Sequence, residues 1–304
     1  MKIFIYGGTG YLGRSLISGL NHKYKIFASS RNKKKIINQT NILSEKEDSK
    51  KIAQKLSDSD LILIANGPSF KDSVKNLFSY LRYLNRQVDL LLKVKKKNAK
   101  IIYFSSIHVY ENYEIQKARP SSLLNSRSHY AIRNIVCENL LLRKLKKKNI
   151  NVIRISNIFG IQKKLTKLSN SMFRLSVNNF CLNVVKNKKF SINSNLNEKR
   201  NFVSINDFVN FIEEGFILKN NKFNSIINYT SNKDISLKQL IKIITEQSKK
   251  LKLKTPKIKF KNKIKNSKIN YKFELKEIMK YRLEPRTAIR DEIKNTLNKM
   301  KKLT

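Results

Sequence analysis

The chain is poor in the residues that interrupt or cross-link a backbone, with 8 Gly, 4 Pro, 2 Cys and no Trp in 304 residues. Two cysteines, Cys137 and Cys181, are too few for a disulfide framework and lack metal-ligand spacing, so they are read as reduced core thiols. The three histidines, His22, His108 and His129, form no cluster, so no metal is expected. No apolar run reaches the roughly 18 residues that a membrane-spanning helix needs. The first residues read as a strand rather than a basic segment followed by an apolar one, so secretion is not expected and a cytoplasmic location is. Acid is also scarce: 21 Asp and Glu stand against 65 Lys and Arg, for a net charge of +44. Such a charge invites a nucleic-acid reading. However, 51 of the basic residues are Lys, scattered from end to end beside abundant Asn and Ile. Aromatic residues do not interleave with them as a base-stacking platform requires. The charge is read as solvated surface that attracts anions, phosphorylated substrates included, with no nucleic-acid partner expected.

The few glycines present are concentrated. Four of the eight lie between Gly7 and Gly13, in the opening stretch MKIFIYGGTGYLG. The apolar run Ile3 to Tyr6 has the look of a buried parallel strand. A glycine turn leading into a helix is a site for a diphosphate, because unpaired N–H groups and the helix dipole face the anion. Gly7 suits the tight turn, Gly10 the close approach of the diphosphate, and Gly13 the packing of helix on strand, with Tyr11 and Leu12 opening the helix. The position directly after the first strand favours a dinucleotide site over an ordinary turn. Such sites usually carry an acid at the end of the second strand for the adenosine ribose. Here that end reads Ser29-Ser30-Arg31. Ser30 and Arg31 suit a 2′-phosphate, which favours NADP and leaves NAD open.

Strand and helix patterns then alternate: helix Tyr11 to Leu20, strand Tyr24 to Ser29, an ambiguous third strand in Ile36 to Leu43, and helix Ser49 to Leu56. Strand Asp60 to Ala65 follows, and its end at Ala65 should face the cofactor. A long helix is expected from Val74 to Lys96, a strand from Lys100 to Phe104, a helix from His129 to Lys148 and a strand from Asn151 to Ile155. This is the order of a doubly wound parallel sheet. After Gly160 the rhythm breaks. Leu165 to Lys189 reads as mostly helical, Asn201 to Ile205 as a strand, Asn206 to Leu218 as a helix capped near Asn206, and Ser225 to Tyr229 as a strand. A helix is expected from Ser236 to Lys250 and another from about Arg286, with an unreadable Lys-rich stretch between them. The expected division is a Rossmann-type domain over 1–160 plus about 200–230. A smaller, mostly C-terminal substrate domain covers about 161–199 and 231–304.

Ser106 ends one strand and Tyr130 starts the next long helix. A serine hydroxyl beside a tyrosine phenol is suited to carbonyl and alcohol chemistry: one holds the oxygen, the other exchanges its proton. A phenol with an ordinary pKa of about 10 needs a neighbouring cation to do this near neutral pH.

In these segments the chain resembles the extended short-chain dehydrogenases/reductases, of the NAD-dependent epimerase/dehydratase family that acts on nucleotide sugars. The segments GGTGYLG, FSSIHVY, YAIRNIVCE, RISNIFG, RNFVSINDF, NYTSNKDISLKQL and LEPRTAIRDEI stand in family order over nearly the whole chain. The resemblance implies that Ser106 and Tyr130 are catalytic. It implies that Asn85 lies near the active site, that Asn157 touches the sugar nucleotide and that Arg200 contacts its diphosphate. A homodimer through the two long helices is implied as well. Asp207 is read as a helix-start and packing residue. Two departures matter. Four residues after Tyr130 the family lysine is replaced by Asn134, which can hydrogen-bond a ribose but carries no charge, and Arg133 next to it is the candidate replacement cation. Where the family's sugar dehydratases carry Thr-Asp-Glu, this chain has Ser106-Ile107-His108, which argues against dehydration. The expectation is an NAD(P)-dependent epimerase or reductase of a nucleotide sugar, in surface polysaccharide synthesis. The alternative is a weak or inactive nucleotide-binding or regulatory protein on the same fold.

Overall fold

A computed structural model describes residues 1–31, 35–67, 77–96, 98–110, 117–126, 128–146, 148–192, 195–254, 258–260 and 272–304. They fall into two compact units.

The first unit is drawn from 1–112, 119–155 and 221–229. Its strands are β1 (Lys2–Tyr6), β2 (Lys25–Ser30), β3 (Lys35–Ile37), β4 (Thr40–Ser44), β5 (Leu61–Ile64), β6 (Lys100–Ser106), β7 (Asn149–Ile155) and β8 (Ile226–Tyr229). They form one sheet in the order β8-β7-β6-β5-β1-β2-β4-β3, parallel throughout except for β3 on β4. The ambiguous stretch Ile36 to Leu43 is thus a hairpin joined to β4. Its turn residues Asn38 and Gln39 both have positive φ, at 42° and 64°. Asparagine tolerates that backbone better than most residues, which accounts for the turn falling there.

Helices α1 (Tyr11–Leu20), α2 (Ser49–Ser57), α3 (Leu77–Leu92) and α4 (His129–Lys144) follow β1, β4, β5 and β6 in the chain. The strand before the expected Val74 start of α3 is followed by residues 68–76, which lie outside the described residues. One core cluster gathers Phe4 and Tyr6 of β1, Ile62 and Ile64 of β5, and Ile101 and Tyr103 of β6. Leu84, Val88 and Leu91 of α3 and Cys137 and Leu141 of α4 complete it. Each fully buried aliphatic or aromatic side chain contributes about 1.5–3 kcal/mol. Both cysteines are buried and free, as core thiols, and burial pushes Cys137 up to about 11.

A buried polar knot sets the far end of this sheet. Arg154 on β7 pairs with Glu138 on α4 at 2.7 Å, each 2% exposed. Arg154 also donates to the Tyr110 hydroxyl at 2.6 Å and the Pro120 carbonyl at 3.0 Å. Tyr110 donates onward to Asn228 on β8 at 2.7 Å, and Ser105 on β6 donates to Glu138. An ion pair this deep is tolerable only because further hydrogen bonds satisfy both partners. It locks the end of β6 to the body of α4, the two elements that carry Ser106 and Tyr130.

The second unit takes 156–220 and 230–304, with a short piece around Lys117–Ala118. Residues 156–160 and 200–220, expected with the nucleotide-binding part, belong here instead. The reason is strand pairing: Asn157–Phe159 lies parallel to Lys199–Ser204, which also pairs antiparallel with Asp234–Ser236. The stretch from 165 to 189 is less helical than expected, with a single-turn helix at Asn170–Arg174 and an α-helix only at Ser176–Val185. Helix Ile205–Ile212 is capped by Ser204, whose hydroxyl accepts the Asn206 and Asp207 amides, rather than by Asn206. The wider π turn Glu213–Leu218 continues it. Helix Leu237–Lys250 begins with the reciprocal Ser236–Gln239 capping box. The last helix is Ile289–Leu303. The Lys-rich stretch contributes a strand at Ile258–Phe260 against Phe190–Ile192, while 255–257 and 261–271 lie outside the described residues.

Candidate active site

The glycine turn is held from both sides. The amides of Gly7 and Gly8 donate to the Ser29 carbonyl at 3.1 and 2.8 Å, and Gly10 closes the turn onto the Gly7 carbonyl at 2.9 Å. Gly7 has φ +80°, and a Cβ there would come within 2.8 Å of the Ala65 carbonyl. A Cβ on Gly13 would drive into the Gly7 carbonyl. Gly10 caps α1 without a side chain, and the first turn, Tyr11 to Gly13, carries no acid. Its N–H ends thus meet neither a side-chain cap nor a negative charge, as a diphosphate site requires. Ala65, directly after β5, forms the opposite wall of this cradle. The residues present fit a dinucleotide diphosphate.

Across the strand ends, α4 starts at a Ser128 cap whose hydroxyl accepts the Ala131 amide at 3.1 Å. That places Tyr130 in the first helical turn, half-buried. Ser106 is 5% exposed at the end of β6. His108 links the two: its amide donates to Ser106 Oγ at 3.3 Å, and its ring stands edge-on to Tyr130 at 6.0 Å. Ser106 and Tyr130, the expected serine and tyrosine, thus each neighbour His108, one through its amide and the other through its ring.

Arg133 does not point to solvent as a residue of an exposed lysine-rich surface would. It is 4% exposed. Its guanidinium lies over the Tyr130 ring at 4.9 Å and over the Tyr80 ring at 5.2 Å. It also packs against the Cα of Gly67, where an added Cβ would sit 3.3 Å from Nη1. Asn134 Oδ1 accepts from Arg133 at 3.3 Å and from the Tyr103 hydroxyl at 3.2 Å. The Asn134 amide nitrogen is buried and finds no partner among the described residues. A buried orphan donor costs about 1–3 kcal/mol, and a ligand hydroxyl would relieve it.

Three further residues of α3, Tyr80, Tyr83 and Gln87, unremarked in the sequence, gather on Asn66. Asn66 donates to Tyr83 at 2.9 Å and to Gln87 at 3.0 Å, and Tyr80 donates to the Asn66 carbonyl at 3.0 Å. They recur at helical spacing on the inner face of α3, a signal that reads as plain core from sequence alone. Burial pushes the Tyr80 and Tyr83 phenols upward. Asn85, expected near the active site, is exposed on another face of α3, because Leu84 and Val88 take the buried one. The end of β2 also differs from expectation. Ser30 is buried and Arg31 exposed, but an acid does stand beside them: Glu45, directly after β4, accepts from Ser29 Oγ at 2.7 Å.

In the second unit, Asn157 donates to the Asn201 carbonyl at 2.9 Å, and Arg200 pairs with Glu198 at 3.0 Å. Those contacts belong to their own sheet. Asp207 packs as expected: it accepts the Arg286 and Thr287 amides at 3.1 and 2.8 Å and the Thr287 hydroxyl at 2.6 Å. Among the described residues no His, Cys, Asp and Glu group could hold a metal, and no helix is long and apolar enough to cross a membrane.

The family model for the NAD dependent epimerase/dehydratase family matches residues 3–223. The chain belongs to that family. No curated protein matches the epimerase-family chain in sequence. Solved structures match its fold over nearly their whole length. UDP-glucuronic acid 4-epimerase from Bacillus cereus, in complex with UDP-glucuronic acid and NAD, superposes with a TM-score of 0.79 at 16% identity, covering 100% of both chains. UDP-glucose 4-epimerase from Thermotoga maritima, with UDP-glucose, gives 0.77 at 17% identity and 99% coverage of both. An NAD-dependent NDP-hexosamine 5,6-dehydratase of tunicamycin biosynthesis gives 0.75 at 20%, covering 98% of this chain and 96% of the other. Identities this low establish the fold, and one fold here carries two reactions.

Proposed function

We propose that this family member is an epimerase or reductase of a nucleotide sugar, using a nicotinamide dinucleotide. The observation that carries the proposal is the buried Arg133 guanidinium laid across the ring of Tyr130. When bound, the dinucleotide supplies or accepts a hydride. The glycine turn and the first turn of α1 hold its diphosphate, and the Asn134 amide donates to a ribose hydroxyl. Ser106 Oγ holds the reacting sugar oxygen, and Tyr130 Oη gives or takes its proton. Arg133 stacks on the ring of that tyrosine and holds it in place. Ser106-Ile107-His108 offers no acid pair, so water elimination is not part of the reaction. Asn157 and Arg200 are proposed to reach the nucleotide diphosphate of the substrate, for which a guanidinium fork is well shaped.

Purified protein incubated with a panel of UDP-hexoses and either dinucleotide tests this. Tyr130→Phe is expected to lower kcat by about 10²–10⁴-fold, the usual range for a general acid–base group, with dinucleotide Kd unchanged. A Tyr130→Phe rate equal to the parent overturns the mechanism. The neutral Asn134 favours a second reading, nucleotide binding without turnover. Tight dinucleotide binding with no turnover on any sugar supports that reading instead.

A further inference from the structure

Asn201 follows Arg200 in the strand Lys199–Ser204 and is 5% exposed. Its backbone carbonyl accepts from Asn157 Nδ2 at 2.9 Å. Its side-chain Oδ1 accepts from Ser156 Oγ at 2.8 Å and from the Ser231 amide at 2.9 Å. Its Nδ2 donates to the Ser231 carbonyl at 2.9 Å and to Asp234 Oδ1 at 2.8 Å. Both hydrogens of the side-chain nitrogen and both lone pairs of its oxygen are thereby used. The partners also fix which end is which: the Ser231 amide needs an oxygen, and the Ser231 carbonyl and Asp234 carboxylate need an N–H. Only an amide side chain meets this set. An aspartate here would turn an oxygen toward a carbonyl and a second carboxylate.

We propose that Asn201 is the positioning residue for Asn157, gripping Ser156 with its side chain and Asn157 with its backbone carbonyl so that the Asn157 amide is presented to a nucleotide sugar. The register explains the grip. Asn201 stands opposite Asp234 on one flank, and Phe202, the next residue, stands opposite Asn157 on the other. One side chain therefore braces the segment 156–157 against the Ser231–Asp234 turn. The bond to the Asn201 carbonyl uses one hydrogen of the Asn157 amide and leaves its Oδ1 and second N–H for a ligand. Asn157 is half-buried, whereas Ser156 beside it is buried. A side chain that binds a ligand is only as well placed as the residues that hold it. The proposal rests on the reading of Asn157 as a substrate residue.

Calorimetric titration of a panel of UDP-hexoses into the full chain tests it without turnover, the tightest binder being carried through the variants. Asn201→Asp is expected to weaken that binding by about tenfold. Asn201→Ala, which adds no charge, is expected to show the same order of loss and stands in if the aspartate variant does not fold. Asp234→Asn alone keeps an acceptor and is expected to stay within about threefold of the parent. Combined with Asn201→Asp it should recover about threefold, because the acid regains a donor while the Ser231 carbonyl still faces an oxygen. In an Asn157→Ala background, Asn201→Asp is expected to cost less than about threefold more, since nothing is left to position. A tenfold loss that persists in that background marks a role in the sheet alone and overturns the proposal. So does binding by the Asn201 variants equal to the parent's. Asn157→Ala binding as tightly as the parent, or no UDP-hexose bound by the parent, overturns the substrate reading itself, and this proposal with it.

Discussion

Asn134 stands where the family resemblance implies a lysine, and Arg133 one position earlier is proposed to supply the charge. A buried guanidinium is costly unless its surroundings repay the lost water. For Arg133 they do so with two aromatic faces and the Asn134 carbonyl oxygen. Such contacts are worth about 2 kcal/mol or more when desolvated. Asn134 in turn needs its oxygen for the Tyr103 hydroxyl. Asn134→Lys alone is therefore expected to give no gain in kcat, because it strands Tyr103 and sets a second cation beside Arg133. Arg133→Ala is expected to lower kcat by about 10–100-fold. Adding Asn134→Lys to Arg133→Ala should recover part of the loss. A role for Arg133 in packing alone would reduce thermal stability and leave kcat, measured well below the melting temperature, close to the parent's. The importance of Asn134 was legible in the sequence because the Tyr-x-x-x-Lys spacing is local. The Tyr80 half of the clamp was not, since α3 meets α4 only through the fold.

Between elements, the last helix is tied down by a group that titrates. Glu292, 1% exposed, accepts from Ser204 at 2.7 Å and Asn206 at 3.2 Å, and fills the space that a Cβ on Gly160 would need. Burial pushes its carboxyl up to about 7, with the Asp207 charge adding to the rise and both hydrogen bonds and Lys163 opposing it. The folded value lies above the unfolded one, so the folded state holds the proton more tightly. The linked stability is fully present below about pH 4.5 and is lost as pH rises through about 7. The span corresponds to about 3 kcal/mol. Melting temperatures across pH 5–8 should fall toward the alkaline end by several degrees more than in Glu292→Gln, which abolishes this contribution. Parallel curves for the two proteins would refute the titration. The pairing of RNFVSINDF with LEPRTAIRDEI across the Asp207 and Glu292 contacts could not be read from either segment alone. It joins positions some 80 residues apart, and each segment reads locally as an ordinary helix start.

At the scale of the molecule, the alternation of strands and helices was legible as far as β7 because parallel sheets buried on both faces leave unbroken apolar runs. The division into units was not, since it depends on Lys199–Ser204 choosing Asn157–Phe159 as a neighbour, and strand partners leave no mark in composition. The charge of +44 is mostly lysine spread from end to end. Apolar side chains are exposed on both long helices of the first unit. Phe78 is 80% exposed on α3, with Leu92 at 45% and Ile132 on α4 at 37%. The homodimer proposed from the family places a second copy on these two helices. Sedimentation equilibrium is expected to give a dimer for the parent protein and a monomer for Phe78→Asp; a parent monomer at micromolar concentration refutes it.

The site also has an optical consequence. With no tryptophan in the chain, its near-ultraviolet emission belongs to tyrosine. Tyr80 and Tyr130 face Arg133, Tyr83 accepts from Asn66, and Tyr103 donates to Asn134. The red edge of tyrosine emission overlaps the absorption of a reduced nicotinamide, so a reduced cofactor bound at the proposed site is expected to take up part of that emission. The chain carries its own donor chromophores for following cofactor occupancy, free of the tryptophan background that obscures such transfer in most enzymes.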